Sequence, residues 1–182
     1  MPAPESRLRY FVAASIDGFI ATPDGGVDWL QPYQKPQPGD EKDEGGWQAF
    51  AAAIGGVISG RKTYEKMAGF GFWKGAKSPA VIVTSSAIDA GNPNVVANPD
   101  PAKALAQLRD TMAWGDIWLL GGGQLASGLA AEIDSIELHV VPVILGAGIP
   151  MFAGPGPMVE FEAVTVRRMP NGLVRTFYER LR

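Results

Sequence analysis

The feature that most constrains this chain is residues 116–133, an apolar run that breaks into Gly121, Gly122 and Gly123 and resumes with Leu125, Leu129 and Ile133 at every fourth position. This predicts strand, tight turn, helix. Residues 117–120 are too few for a helix and suit a strand covered on both faces, whereas the later spacing is helical. Glycines at such a turn admit two readings. Either a ligand approaches the main chain, a phosphate being the natural guest of the following helix N-terminus, or strand and helix pack tightly there. On the first reading, valine at Gly122 blocks the phosphate and leaves the fold largely intact. Gly121, Gly123 and Ala126 match the loose dinucleotide fingerprint G-x-G-x-x-G/A, but the motif comes late in the chain and the next strand leads to a hairpin, so a doubly wound dinucleotide fold is not expected.

A second strand-to-helix junction precedes it. Residues 56–59 read as a short strand, followed by Gly60, Arg61, Lys62 and Thr63 at the start of a helix. Thr63 brings a hydroxyl, and Arg61 and Lys62 bring local positive charge to a chain whose formal net charge is −3. Two glycine-marked helix starts suit a ligand with two separated phosphates; the alternative is a capped helix with exposed bases. A third strand, residues 80–84, runs into Ser85 and Ser86, hydroxyls that either bond a ligand at a sheet crevice or make an ordinary turn.

The rest of the chain frames these units. Residues 8–15 fit a central strand ended by Asp17 and Gly18, and residues 22–26 form a glycine loop able to close over a ligand. Residues 31–46 read as a polar loop, with Asp40, Glu41, Asp43 and Glu44 either solvated or presenting a carboxylate to a cleft from the start of a helix over 47–54. Residues 95–96 form a short strand, and Asp100 with Pro101 starts a helix running to about Met112. A strand over 135–143 is expected to reach a sheet edge or leave the sheet at Pro142, and its His139 reads as a sheet-surface residue. Residues 161–169 and 173–181 form a hairpin about Pro170, Asn171 and Gly172. The elements add up to an α/β fold: a mostly parallel mixed sheet with a C-terminal antiparallel hairpin.

Composition narrows the function. With 182 residues, 46% of them hydrophobic, the chain can bury one substantial core, so a single domain over 1–182 is expected. The net charge offers no field for nucleic acid or anionic lipid. No apolar run reaches the ~18 residues of a membrane span, and the start lacks a signal-peptide pattern, so a cytoplasmic protein is expected. Zero cysteines and one histidine exclude disulfides, thiolate chemistry and a His-rich metal site; no metal is expected.

Taken in order, residues 15–21 (Ser-Ile-Asp-Gly-Phe-Ile-Ala), 60–65 (Gly-Arg-Lys-Thr-Tyr-Glu), 83–86 (Val-Thr-Ser-Ser) and 120–124 (Leu-Gly-Gly-Gly-Gln) resemble the dihydrofolate reductase family. The resemblance is closer to the branch related to the C-terminal reductase domain of the bacterial bifunctional riboflavin-biosynthesis deaminase-reductase, and it covers nearly the whole chain. It implies a three-layer α/β/α dihydrofolate reductase-like fold and an NADPH-dependent oxidoreductase acting on a small heterocyclic substrate. It also implies cofactor contacts: Lys62, Thr63, Gly121, Gly122 and Gly123 near the pyrophosphate, Arg61, Thr84 and Ser85 near the adenosine 2′-phosphate, Ala13, Ile20 and Ala21 about the nicotinamide, and Gly60, Ser86, Gln124 and Leu125 among the further cofactor-binding residues. Asp43 or Glu44 would be the proton donor. Lys77 and Ser78 stand where folate reductases carry an arginine, which argues against folate. No Asp-Asn-Pro stretch follows the Gly60 junction, so 5-amino-6-(5-phosphoribosylamino)uracil reduction is an alternative, as is a nucleotide-binding module without catalysis. The apolar stretches 140–152 and 161–177 suggest a homodimer.

Overall fold

The computed structural model describes residues 6–34 and 46–182. In chain order the elements are β1 (Leu8–Ser15), β2 (Phe19–Ala21), α1 (Trp47–Ala53), β3 (Ile54–Gly60), α2 (Arg61–Gly69), β4 (Ala80–Val83), β5 (Val95–Asn98), α3 (Pro101–Thr111), β6 (Asp116–Leu120), α4 (Gly123–Gly128), β7 (Ile133–Val141), β8 (Ile149–Pro150), β9 (Phe161–Arg168) and β10 (Val174–Arg180). One eight-stranded sheet has the order β5-β4-β3-β6-β1-β7-β10-β9. Its first six strands are parallel and β10 pairs antiparallel with both β7 and β9. The small ribbon β2–β8 stands apart from it.

Alternation along the strands assigns the two faces. Ile58 and Val81 join Leu8, Tyr10, Ile117 and Leu119 in one core cluster, which α3 completes with Ala104, Leu105 and Leu108. The next residues along, Val57, Ala80 and Ile82, point to the other face and meet Tyr64 of α2 and Trp73. Successive strand residues face opposite ways, so α2 and α3 cover opposite sides of the sheet. The start of α3 is as expected: the Asp100 carboxylate accepts from the Ala102 and Lys103 amides at 3.0 and 3.1 Å, with Pro101 in the first turn.

Several boundaries differ from the sequence expectation. The helix after the glycines stops at Gly128; Ala130–Glu132 is a 3-10 turn, and Ile133 already belongs to β7, paired beside Leu8. The four-residue apolar spacing therefore crosses a helix, a turn and a strand, each residue buried for a different reason. β7 lies in the sheet interior between β1 and β10, and of the two outcomes expected at Pro142 it is the second that occurs: the chain leaves the sheet after Val141. α1 passes directly into β3 at Ile54, and residues 28–33, partly assigned to the long polar loop, form a 3-10 helix. The terminal hairpin forms as expected, with the Gly172 amide donating to the Met169 carbonyl at 3.0 Å.

Candidate functional site

Register brings the two glycine-marked junctions together. Ser59 of β3 sits beside Leu120 of the neighbouring parallel strand β6, and the buried Ser59 hydroxyl donates to the Leu120 carbonyl at 3.1 Å. Both chains then turn into helices at the same end of the sheet, the crevice where open α/β sheets bind ligands. Thr63 does not cap α2; its side chain stands against the other junction. A β-carbon built on Gly121 would lie 3.1 Å from Thr63 Oγ1, and one on Gly122 3.8 Å from the same atom.

The glycines differ in what requires them. Gly121 and Gly122 have φ of +63° and +84°, in the left-handed region that a side chain strains. Gly123 is buried, and a β-carbon there would run into the Pro150 carbonyl oxygen and crowd Ala153, whose amide donates to the Gly123 carbonyl at 3.0 Å. Valine at Gly122 therefore strains the turn itself, which corrects the expectation that it would spare the fold. Gly60 has φ −83° and ψ 161°, open to any residue, and a β-carbon on it would meet nothing within 4 Å.

The charged and hydroxyl groups assemble around this crevice. Arg61 Nε donates to Glu65 at 2.6 Å and its Nη1 to the Ala87 carbonyl at 2.7 Å, which ties the start of α2 to the segment after β4. There Thr84 Oγ1 accepts from the Ser86 amide at 3.1 Å, with Thr84 half-buried and Ser85 and Ser86 exposed. Lys62 and Gln124 are exposed, while the Leu125 side chain is buried in the main core. Ile20 and Ala21 lie on β2; the Met151 amide donates to the Gly18 carbonyl at 2.9 Å within that ribbon, and the segment after β8 reaches the glycine turn through the bond from Ala153 to Gly123. The Tyr10 hydroxyl donates to the Met151 carbonyl at 3.1 Å from below. Ala13 is half-buried on β1 and packs, as Trp29 and Leu30 do, against the cluster of Val141, Met169 and Leu173.

Two carboxylates that the sequence marks only as turn residues hold the rim. Asp17 accepts from the Ser15 hydroxyl at 2.6 Å and from the Leu145 and Gly146 amides at 3.1 and 2.7 Å, and that hydroxyl, with the two amides, holds its carboxyl below the usual range. Asp24 is lowered by the Thr22 hydroxyl and the Gly26 amide, with a contribution from Lys66, which itself reaches across to the Gly25 carbonyl. Groups held low are poor acids near neutrality and serve here as clasps. Asp40, Glu41, Asp43 and Glu44, the expected proton donors among them, lie outside the described residues. Among the described residues no cluster of three or more metal-ligating side chains occurs.

Beside the crevice lies an aromatic wall that sequence reading missed. Phe11 of β1 contacts Phe50 and His139 at 4.6 Å between centroids and Trp47 at 5.6 Å, and Trp47 meets Trp118 at 5.2 Å. At its base Arg9 bonds Asp116 at 3.3 Å and also Glu137, whose carboxyl is raised by burial against the pull of Arg9. The signal was there: Arg9/Phe11/Ala13, Asp116/Trp118 and Glu137/His139 alternate with apolar residues, placing charge and aromatics on one face. The described clefts of about 470 and 370 Å³ lie elsewhere. The larger is lined by Arg7, Asp134 and Glu179, and the smaller by Ser127, Ile136 and Phe152.

A model of the RibD C-terminal domain matches residues 7–175. The Bacillus subtilis protein YwjB is 28% identical over 151 residues, covering 81% of this chain and 83% of its own. Among solved structures, a candidate riboflavin biosynthesis protein from Shewanella sp. PV-4 superposes with a TM-score of 0.78 at 23% identity, covering 97% of this chain and 99% of the other. Enterococcus faecalis dihydrofolate reductase, solved with NADP(H), does so with a TM-score of 0.67 at 16% identity and 98% coverage of both. The fold is dihydrofolate reductase-like.

Proposed function

This chain belongs to the RibD C-terminal domain family, and from that premise we propose that it is an NADPH-dependent oxidoreductase reducing a small heterocyclic substrate. The observation that carries the reading is the pair of adjacent junctions, with Thr63 against Gly121 and Gly122 and open space at Gly60. The main-chain N–H groups at Gly60–Thr63 and Gly121–Gly122, with the Thr63 hydroxyl, would take the pyrophosphate. Arg61 with Thr84, Ser85 and Ser86 would take the 2′-phosphate, and Ala13, Ile20 and Ala21 the nicotinamide. Lys62 and Gln124 would stand at the rim. When bound, NADPH supplies the hydride equivalent. The chain's own share is to hold both partners in register, keep water out and deliver one proton, for which Asp43 and Glu44 are the candidates.

The test is titration with NADPH followed by tryptophan fluorescence, then NADPH oxidation with candidate acceptors. Saturable binding with turnover is expected; no binding at millimolar NADPH would sink the reading. Binding without turnover of any acceptor would favour the nucleotide-binding module, and turnover confined to 5-amino-6-(5-phosphoribosylamino)uracil would favour the riboflavin step, the reading for which family membership speaks. A cytoplasmic homodimer of single-domain chains belongs to the same proposal. Val164 and Val166, 52% and 67% exposed on edge strand β9, support the dimer, and a light-scattering mass of one chain would remove it.

A further inference from the structure

The strand register places the chain's one histidine at the crevice. β1 pairs with β6 only as far as Tyr10, opposite Leu119, whereas its pairing with β7 continues to Ser15. Beyond Tyr10 the strands β1 and β6 part, and the edge of β1 that faces β6 opens where β6 turns into its glycines. Ala13 stands on that open stretch, and His139 is its partner on β7. Paired residues of parallel neighbours point to the same face ~4.8 Å apart, and the 4.6 Å contact of His139 with Phe11 fixes which face this is. Among the described residues, two covers flank the row. On one side Phe50 packs on Phe11 with Trp47 beside it. On the other, Trp29, Leu30 and Tyr33 pack against the cluster of Val141, the partner of Ser15. Ala13 and His139 lie between the two, half-buried, while Val12 and Ala14 are buried on the opposite face.

We infer that His139 is the group that delivers the proton accompanying reduction. The inference rests on the cofactor reading above, because Ala13 is the contact that reading gives the nicotinamide. As a C=N or conjugated C=O bond of the substrate takes the hydride on carbon, its π pair passes to nitrogen or oxygen. The N–H bond of the imidazolium breaks to give that atom its proton, and the neutral imidazole regains one from water. An ordinary imidazole changes charge near pH 6.5, so part of the population holds a proton at neutrality, where ordinary carboxylates hold almost none. The charged groups about His139 are Glu137 on its own strand, bonded to Arg9 of β1, and Arg175 opposite it on β10, with Arg167 beyond on β9. Helix α1 carries no ionisable side chain, and the 28–33 turn carries Asp28 and Tyr33.

With one histidine in the untagged chain, the imidazole Cε1–H signal of a ¹H–¹³C spectrum reports this residue alone. Its titration midpoint is measured with saturating NADPH and again with saturating NADP+. The two differ in charge at the nicotinamide, neutral in the first and positive in the second, while the 2′-phosphate and the protein's own groups are common to both. A unit charge ~6 Å away in water-like surroundings should lower the midpoint by about half a pH unit with NADP+, and by more where the crevice excludes water. By linkage, the ratio of NADP+ to NADPH affinity should rise about threefold between about pH 5 and pH 8, and should stay flat in His139→Gln. Reduction of 6-methyl-7,8-dihydropterin, a cyclic imine without an acidic tail, should slow above about pH 6.5 in wild type and lose that limb in His139→Gln. Equal midpoints with the two cofactors, or a limb that survives in His139→Gln, overturn the inference. NADPH alone should also shift the Gly60, Gly121 and Gly122 amides. If they move while the midpoints stay equal, the inference falls and the cofactor reading stands; if the midpoints differ and those amides do not move, the cofactor reading falls at those junctions. The wild-type midpoints decide the matter even where His139→Gln folds poorly or the imine is not reduced.

Discussion

At the β6–α4 junction every glycine has a reason within the protein, whereas Gly60 at the β3–α2 junction has none. Gly121 and Gly122 occupy left-handed backbone, and Gly123 lets Pro150 and Ala153 close on the start of α4. Gly60 has an ordinary extended conformation beside empty space. The triple glycine is the louder sequence signal, yet turn geometry and packing already account for it. A glycine that neither the backbone nor the packing needs is the sharper sign that something else must come close. The helices agree with this ranking: α2 has nine residues, α4 only six, and the positive end of a longer helix offers an anion more.

The comparison breaks most visibly in stability. Gly123→Val must push aside the Pro150 carbonyl and Ala153, an overpacking expected to cost about 3 kcal/mol or more, and Gly122→Val should cost about 1–3 kcal/mol through its positive φ. Chemical denaturation of each variant measures both. A Gly122→Val protein as stable as wild type would show that the turn tolerates a side chain and would return that glycine to the ligand. Gly60→Ala inverts the pattern: stability within about 1 kcal/mol of wild type, since its backbone suits alanine and a β-carbon there meets no atom within 4 Å, but NADPH affinity reduced at least about tenfold. Unchanged affinity would leave the β3–α2 junction with no special claim.

What was legible in the sequence follows from how local each cause is. Strand β1, the Asp100 cap, helix α3 and the Pro170–Gly172 hairpin depend on neighbours a few residues away, and those were readable. The two junctions were also readable as strand-to-helix turns, because glycine placement marks them. Which glycine serves a ligand was not, since the answer for Gly123 lies in Pro150 and for Gly121 in Thr63, distant in sequence. The short helix α4 escaped for a related reason: Leu125, Leu129 and Ile133 keep helical spacing while the sheet takes the last of them for pairing with Leu8. Likewise, nothing near Asp17 announces that Leu145 and Gly146 will donate to it.

The smallest expected effect bears on charge, since the first two helix positions are Arg61 and Lys62 at the β3–α2 junction and Gly123 and neutral Gln124 at the other. Arg61 is already bonded to Glu65 and the Ala87 carbonyl, so it must exchange partners to meet a 2′-phosphate. The exchange is cheap: Arg61 and Glu65 side chains are 36% and 56% exposed, and a helical pair of that kind contributes about 0.3–0.5 kcal/mol. A charged hydrogen bond to phosphate contributes about 1.5–3 kcal/mol, so the balance favours NADPH over NADH by about tenfold. Arg61→Gln should therefore lower NADPH affinity about tenfold and leave NADH affinity and thermal stability nearly unchanged, while Glu65→Gln, which frees the guanidinium, should raise NADPH affinity slightly. Fluorescence titration of both cofactors against both variants measures these four quantities. Equal loss for the two cofactors would move Arg61 from the 2′-phosphate to the pyrophosphate they share, and no loss for either would mean that the β3–α2 junction contributes shape without charge.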